Sequence, residues 1–298
     1  MPTATAPPSA RLGTDLGLLL MALIWALNFS VIKVALAHLS PLAFNALRFP
    51  LASLAVWLAL RRQGAIPLPR RDDVGRVLAL GVLGNVVYQL LFIFGLDRTR
   101  AGNAALLLAG SPILTALFSA AFGDERVGAR VWAGAAATVV GMALVVLGEP
   151  GGADIGIDTI AGDLMLVGAS VSWSLYTVGS SGLVRRYGPV PVTAWTLWVG
   201  AAGITLLGLP DLAAVDWAAV PAASWAAVAF AGVFGIGLAY LLWYNGVRSI
   251  GSARTAVYSN LVPVLALVVA WLWLGEVPGG WPIVGAAVIL GGVTVARR

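Results

Sequence analysis

Apolar runs of about 20 residues, the length a bilayer core requires, recur along the whole chain. Short stretches rich in arginine, glycine and proline separate them. A backbone in lipid has no water to bond, so such runs fold as helices whose amides pair internally. A transmembrane barrel would show alternating segments of about ten residues, and these runs do not alternate. Composition agrees: 60% of the 298 residues are hydrophobic and 10% charged, too few charges to cover a soluble surface. The expected fold is an all-α membrane protein in contact with the lipid bilayer.

Turn residues and charges delimit ten expected spans, near 14–36, 41–60, 74–96, 102–122 and 129–148, then 160–182, 190–209, 224–247, 253–274 and 280–296. Ala35-Leu36-Ala37 resembles a leader-cleavage site. The stretch before it is too long for a leader core and contains Asn28 and Lys33, so it is read as a retained first helix. If the N-terminus is inside, fourteen arginines fall in cytoplasmic segments and two, Arg98 and Arg100, on the other side. This bias predicts that both termini are cytoplasmic. It also accounts for the net charge of +5 without a nucleic-acid partner.

The chain repeats itself. A shift of 151 pairs Gly81, Val82 and Gly84 with Gly232, Val233 and Gly235. It also pairs Gly95 with Gly246, Pro112 with Pro263, Glu125 with Glu276, and Gly134-Ala135-Ala136 with Gly285-Ala286-Ala287. A shift of 148 pairs Asp15-Leu16, Trp25 and Pro41 with Asp163-Leu164, Trp173 and Pro189. The expected organisation is a first five-helix repeat at 1–149, an extracytoplasmic linker at 150–159 and a second repeat at 160–298. Five is odd, so the second repeat enters the membrane from the opposite face. Inverted repeats of this kind place a solute site at their interface near the midplane.

Polar side chains are costly in lipid and mark an interior or a wet path. Asn85, Tyr88 and Gln89 share a helix face, and Tyr240, Trp243 and Tyr244 share one on the repeat partner. Trp25 and Asn28 lie mid-span in the first helix, answered by Trp173 and Tyr176 in the sixth, while the ninth offers Tyr258 and Ser259. Together they are the candidate cavity lining, suited to a neutral, zwitterionic or cationic solute with an apolar body. Trp57, Trp132, Trp217, Trp225, Trp271, Trp273 and Trp281 lie near span ends and read as interfacial anchors. Pro112 and Pro263, inside the fourth and ninth spans, are candidate gate hinges. The fifth and tenth spans, almost wholly small and aliphatic, are expected to pack peripherally. Lys33 and Arg48 read as snorkelling or carbonyl-capping groups ahead of a solute contact.

With no cysteine and a single histidine, His38, few acid–base groups remain, so neither an enzyme nor a metal or other cofactor is expected. No Asp or Glu lies deep within a span, which favours facilitative transport or exchange over proton coupling.

Trp25-x-x-Asn28-x-x-x-x-Lys33, followed by Pro41-x-x-Phe44-x-x-x-Arg48-Phe49, resembles the first-repeat signature of EamA-type carriers in the drug/metabolite transporter superfamily. Ser111-Pro112 to Glu125-Arg126 and Leu261-Val262-Pro263 to Gly275-Glu276 resemble its fourth- and ninth-helix patterns. The resemblance implies ten helices in inverted 5+5 repeats, alternating access, and export of amino acids, other metabolites or drugs. It implies a bacterial inner membrane and a monomer sufficient for transport. The aromatic residues are most similar to those of YddG-type amino-acid exporters. Tyr176 replaces Asn28 in the second repeat, Thr196 replaces Arg48, and no lysine matches Lys33, so any roles of these three are asymmetric.

Overall fold

The computed structural model describes residues 8–62, 64, 67–98, 107–147, 160–269 and 279–297, and these are overwhelmingly helical. In chain order the helices are α1 (Pro8–Leu36), α2 (Pro41–Arg61), α3 (71–98), α4 (Ser111–Ala121) and α5 (Ala129–Leu147). They continue as α6 (Ile160–Tyr187), α7 (Pro189–Ala213), α8 (Ala222–Ile250), α9 (252–269) and α10 (Gly280–Arg297). The expected linker, Glu276, Trp271, Trp273 and the side chain of Lys33 lie outside the described residues.

Among the described residues, five helices are long and apolar enough to cross a membrane: Pro41–Arg61, Arg71–Gly95, Pro189–Ala213, Ala222–Ile250 and Gly280–Arg297. Leu12–Asn28, Leu107–Ala121 and Ala129–Val145 are shorter apolar helices. Although long enough, α6 is not among these five, because Ser170, Ser172, Ser174, Thr177, Ser180 and Ser181 interrupt it. All six are buried, so its polarity faces protein rather than lipid or water.

Local chemistry sets the helix ends. Ser40 caps α2 by accepting a hydrogen bond from Ala43 N at 3.2 Å, and Pro41 occupies the first turn, where its missing N–H costs nothing. Gly188 and Gly251, with φ of 89° and 90°, make the breaks before α7 and α9, a conformation that other residues rarely adopt.

Two helices change pitch midway. Val82–Val87 in α3 and Ala231–Leu238 in α8 are π-helical. Each contains a glycine pressed against a side chain: Gly84 lies on the Tyr176 ring, and Gly235 lies so close to Asn28 that a Cβ would be 2.8 Å from its Oδ1. Such widened turns are frequent at functional sites.

The prolines behave differently from the interior kinks expected of them. Pro112 sits in the first turn of α4, after a turn at Gly110, so the helix restarts there rather than bending. In α9 the chain breaks at Ser259–Asn260, just before Leu261-Val262-Pro263. In each case the break lies within the four residues before the proline, which has no N–H for the carbonyl at i−4, that of Leu108 or Ser259, and whose ring clashes with it.

The principal helix pairs are α5 with α10, α2 with α7, α3 with α6, and α1 with α8. The π segments extend this pattern, that of α8 packing on α2 and that of α3 on α7. The most extensive pairing is between α5 and α10. Gly134 lies against the Gly292 carbonyl and Gly141 against that of Gly285; the approach is reciprocal for Gly285 and Gly292. Small residues drawing two helices together is the association expected where lipid replaces water. The other substantial contacts of α5 and α10 are with the α4 and α9 helices.

Candidate functional site

An aromatic cluster is buried where α1, α3, α6 and α8 meet. Trp173 is its hub, with ring centroids 6.0 Å from Trp25, 5.1 Å from Tyr88, 5.7 Å from Tyr176 and 5.3 Å from both Tyr240 and Trp243. Trp25 also leans on Trp243 at 5.6 Å, and Tyr244 meets Tyr176 edge to face at 5.7 Å. Trp25 and Tyr88 remain half-buried while Trp173, Tyr176, Tyr240, Trp243 and Tyr244 are buried. Each ring brings a large apolar face and a polar edge, the two features by which aromatic side chains hold neighbours through dispersion and hydrogen bonds.

Hydrogen bonds fix the cluster. Trp25 Nε1 donates to the carbonyl of Gly235 at 3.0 Å, within the α8 π segment. The Tyr176 hydroxyl and Thr196 Oγ1 share a hydrogen bond of 2.9 Å, and Tyr244 donates to Ser180 Oγ at 3.1 Å. Asn85 Nδ2 donates to Thr196 O at 3.2 Å, and its side chain packs onto Gly200 of α7. The π turn separates Asn85 from Tyr88 and Gln89, so the face shared in an ideal α-helix becomes two: Asn85 turns to α7 and Tyr88 to Trp173.

One side chain departs from the sequence expectation. Arg48 does not snorkel. It is 4% exposed, and its Nε donates to Asn45 Oδ1 at 2.8 Å and an Nη2 hydrogen to Gln89 Oε1 at 3.2 Å. Its guanidinium lies 4.7 Å from the Phe44 ring centroid, with Tyr88 and Tyr240 within electrostatic reach. The signal was present: an arginine inside an apolar run, with Asn45 three residues earlier on the same helix face. Its inward direction depends on Gln89 of α3, which no local pattern reports.

Of the remaining expected residues, Asn28 is buried against Gly235. Tyr258 and Ser259 do not join the ring cluster through their hydroxyls: Tyr258 donates to Asp15 Oδ1 at 2.5 Å, and Ser259 to Ala256 O at 2.7 Å in its own helix. Trp217, Trp225 and Trp281 are exposed, as membrane anchors require.

A second polar constellation gathers the ends of several helices. Asp124, between α4 and α5, accepts hydrogen bonds from Ser181, from Arg185 Nη1 at 2.8 Å and from Ser252 Oγ at 3.0 Å. Asp73 accepts from Arg186 at 2.8 Å and Tyr187 at 2.6 Å, while Asp15 pairs with Arg297. Glu125 accepts from Ala253 N at 2.6 Å at the start of α9. Burial pushes the Glu125 carboxyl above the usual carboxylate range, partly offset by that backbone bond. The folded protein then holds a proton that the unfolded chain releases, so this contribution to stability is lost as pH rises through the raised value. Glu125→Gln keeps the acceptor and removes the titration. It is expected to unfold at a higher temperature than the parent at neutral pH and at the same temperature below the ordinary carboxylate range. Melting curves of detergent-purified protein across pH check this, and a pH-independent difference would contradict it.

Residues 12–147 and 160–298 each match the model of the "EamA-like transporter family". The chain is 28% identical over 273 residues to the "Uncharacterized transporter YyaM" of Bacillus subtilis, spanning 90% of this chain and 88% of that protein. It is 30% identical over 283 residues to the "Probable terminal-alkyne amino-acid exporter" of Streptantibioticus cattleyicolor, spanning 94% and 92% respectively. A solved crystal structure superposes with a TM-score of 0.83 over 96% of both chains at 23% identity, a likeness of fold.

Proposed function

The chain belongs to the EamA-like transporter family, and on that premise we propose that it exports amino acids, aromatic and other apolar ones among them, by facilitative transport or exchange. The observation that carries this reading is the ring cluster around Trp173, which joins two tryptophans, Trp25 and Trp173, from corresponding places in the two halves. The amino-acid exporter from S. cattleyicolor, similar across nearly the whole chain, supports the same solute class.

Alternating access through ten spans, arranged as inverted repeats of 1–149 and 160–298, completes the reading. The contacts support it because they are exchanged by the repeat offsets. Gly84 faces Tyr176 while Gly235 faces Asn28, and Gly95 meets Leu166 while Gly246 meets Leu18. Corresponding residues that touch each other mark a pseudo-twofold axis. Trp25 with Trp173, Gln89 with Tyr240, and Ala109 with Asn260, whose Nδ2 donates to Ala109 O at 3.2 Å, are such pairs. The axis therefore runs through the ring cluster and through the breaks in α4 and α9, where a solute site and two gates belong. The carboxylate network around Asp124 serves as the gate at the arginine-rich, cytoplasmic end of an inner-membrane protein, and one chain contains the whole path.

Organic cations are the second reading, since aromatic walls also hold cations. The buried charge of Arg48 beside Tyr88 and Tyr240 opposes it. Purified protein in liposomes, offered a labelled amino-acid panel, is expected to catalyse exchange at a rate that a pH gradient leaves unchanged. Absence of exchange for every amino acid rejects the solute class, and acceleration by the gradient rejects uncoupled transport.

A further inference from the structure

Among the described residues Arg48 is a buried cation without a counter-ion. Among the described residues no carboxylate is paired with it, and its hydrogen-bond partners, Asn45 and Gln89, are neutral. Moving a charge out of water is expensive unless an opposite charge meets it, and a charge in a membrane interior marks a functional position by default. The two bonds also leave donors over: Nε and one Nη2 hydrogen are engaged, and the other guanidinium N–H groups bond to no described residue.

The orphan groups around the ring cluster divide by chemistry. Trp243 Nε1 is buried with no acceptor, although its ring packs on Trp25 and Trp173. Asn28 Oδ1 is buried with no donor, three residues along the same helix from Trp25. Unmet donors on Arg48 and Trp243, an unmet acceptor on Asn28, and rings between them suit a solute with an anionic head, a donor group and an apolar body. The opposite half does not duplicate the charge: at the position corresponding to Arg48, the Thr196 hydroxyl is already bonded to Tyr176 and to Val192 O. The site is polarised from the α2 side.

We propose that Arg48 receives the carboxylate of the transported solute, making the carrier selective for free carboxylates over the corresponding decarboxylated amines. The proposal rests on the amino-acid reading above for the identity of its solute. A carboxylate arriving at Arg48 meets a guanidinium able to donate two parallel hydrogen bonds, the strongest arrangement available to this pair. Gln89 and Asn45 position the guanidinium, and Phe44 supports it from one face.

Three probes sharing one ring separate the possibilities: phenylalanine, phenethylamine and 3-phenylpropionate, each competing against labelled amino-acid exchange in liposomes. In the parent protein the two carboxylates are expected to compete at least about tenfold more strongly than phenethylamine, in keeping with one charge-assisted bond. In Arg48→Gln this ratio falls towards unity, and in Arg48→Lys a part of it survives. Because the readout is a ratio, it does not depend on how much protein inserts. Equal weakening of all three probes in Arg48→Gln, or a parent that prefers phenethylamine, overturns the proposal. If no amino acid exchanges at all, the export reading fails separately, and melting curves of detergent-purified protein decide this one. Stabilisation of the parent but not of Arg48→Gln by 3-phenylpropionate supports a carboxylate site; no stabilisation, or an equal one, overturns it.

Discussion

Trp173→Ala is expected to abolish exchange and to destabilise the fold by about 3–5 kcal/mol, the cost of removing a buried aromatic and leaving a cavity. Five rings from α1, α3, α6 and α8 rest on this side chain, so no single neighbour can move in to fill its place. Trp173→Phe, which keeps a ring but a smaller one, should fold well and exchange slowly, separating packing from passage. Trp25→Ala should cost less stability, because Trp25 is half-buried and gives up one hydrogen bond, to the Gly235 carbonyl. Its effect on exchange should still be severe. Initial rates in liposomes, set beside melting temperatures in detergent, read both quantities. If alanine at Trp25 and at Trp173 left exchange at the parental rate, the ring cluster would not be the path.

The second large effect is expected far from that cluster. Gly134→Leu should separate α5 from α10 and cost more than the roughly 1–3 kcal/mol typical of an overpacked core. A Cβ at this position would lie 2.5 Å from the Gly292 carbonyl oxygen and 2.7 Å from Ala296 Cβ. The first of these is backbone and cannot rotate away. In lipid no hydrophobic force compensates for the lost contact, since the tails are as apolar as the helices. Gly291 supplies the control, because nothing lies within 4 Å of a Cβ built there. Gly291→Leu should melt with the parent and elute as one species, whereas Gly134→Leu should melt earlier and broaden. Equal melting of the two variants would remove the glycine contact from the account of stability.

The two tryptophans that the sequence shift pairs were the most legible part of the site. Sliding the chain along itself pairs Trp25 with Trp173, and their ring centroids lie 6.0 Å apart. That small residues carry the packing of α5 and α10 was readable from their composition, but that the two helices pack on each other was not. What escaped depends on distant neighbours. Arg48 looked peripheral until Gln89 and the rings of α2, α3 and α8 gave its guanidinium an inward lodging. Tyr258 shared a helix face with polar residues, yet its hydroxyl is claimed by Asp15, 243 positions away. The π turns of α3 and α8 follow from Gly84 and Gly235 pressing on α6 and α1, and no propensity within either segment specifies them.

The helix pairing described above also constrains how the molecule can come into being. Every principal partnership, α1 with α8, α2 with α7, α3 with α6 and α5 with α10, joins an early helix to a late one. When the ribosome has delivered only α1 to α5, Met21, Phe49 and Asn85 have yet to meet the helices that bury them. A chain ending after α5 is therefore expected to leave these side chains without the helices that bury them. Such a five-helix fragment is expected to be degraded faster than the full chain, which pulse-chase of the two side by side checks.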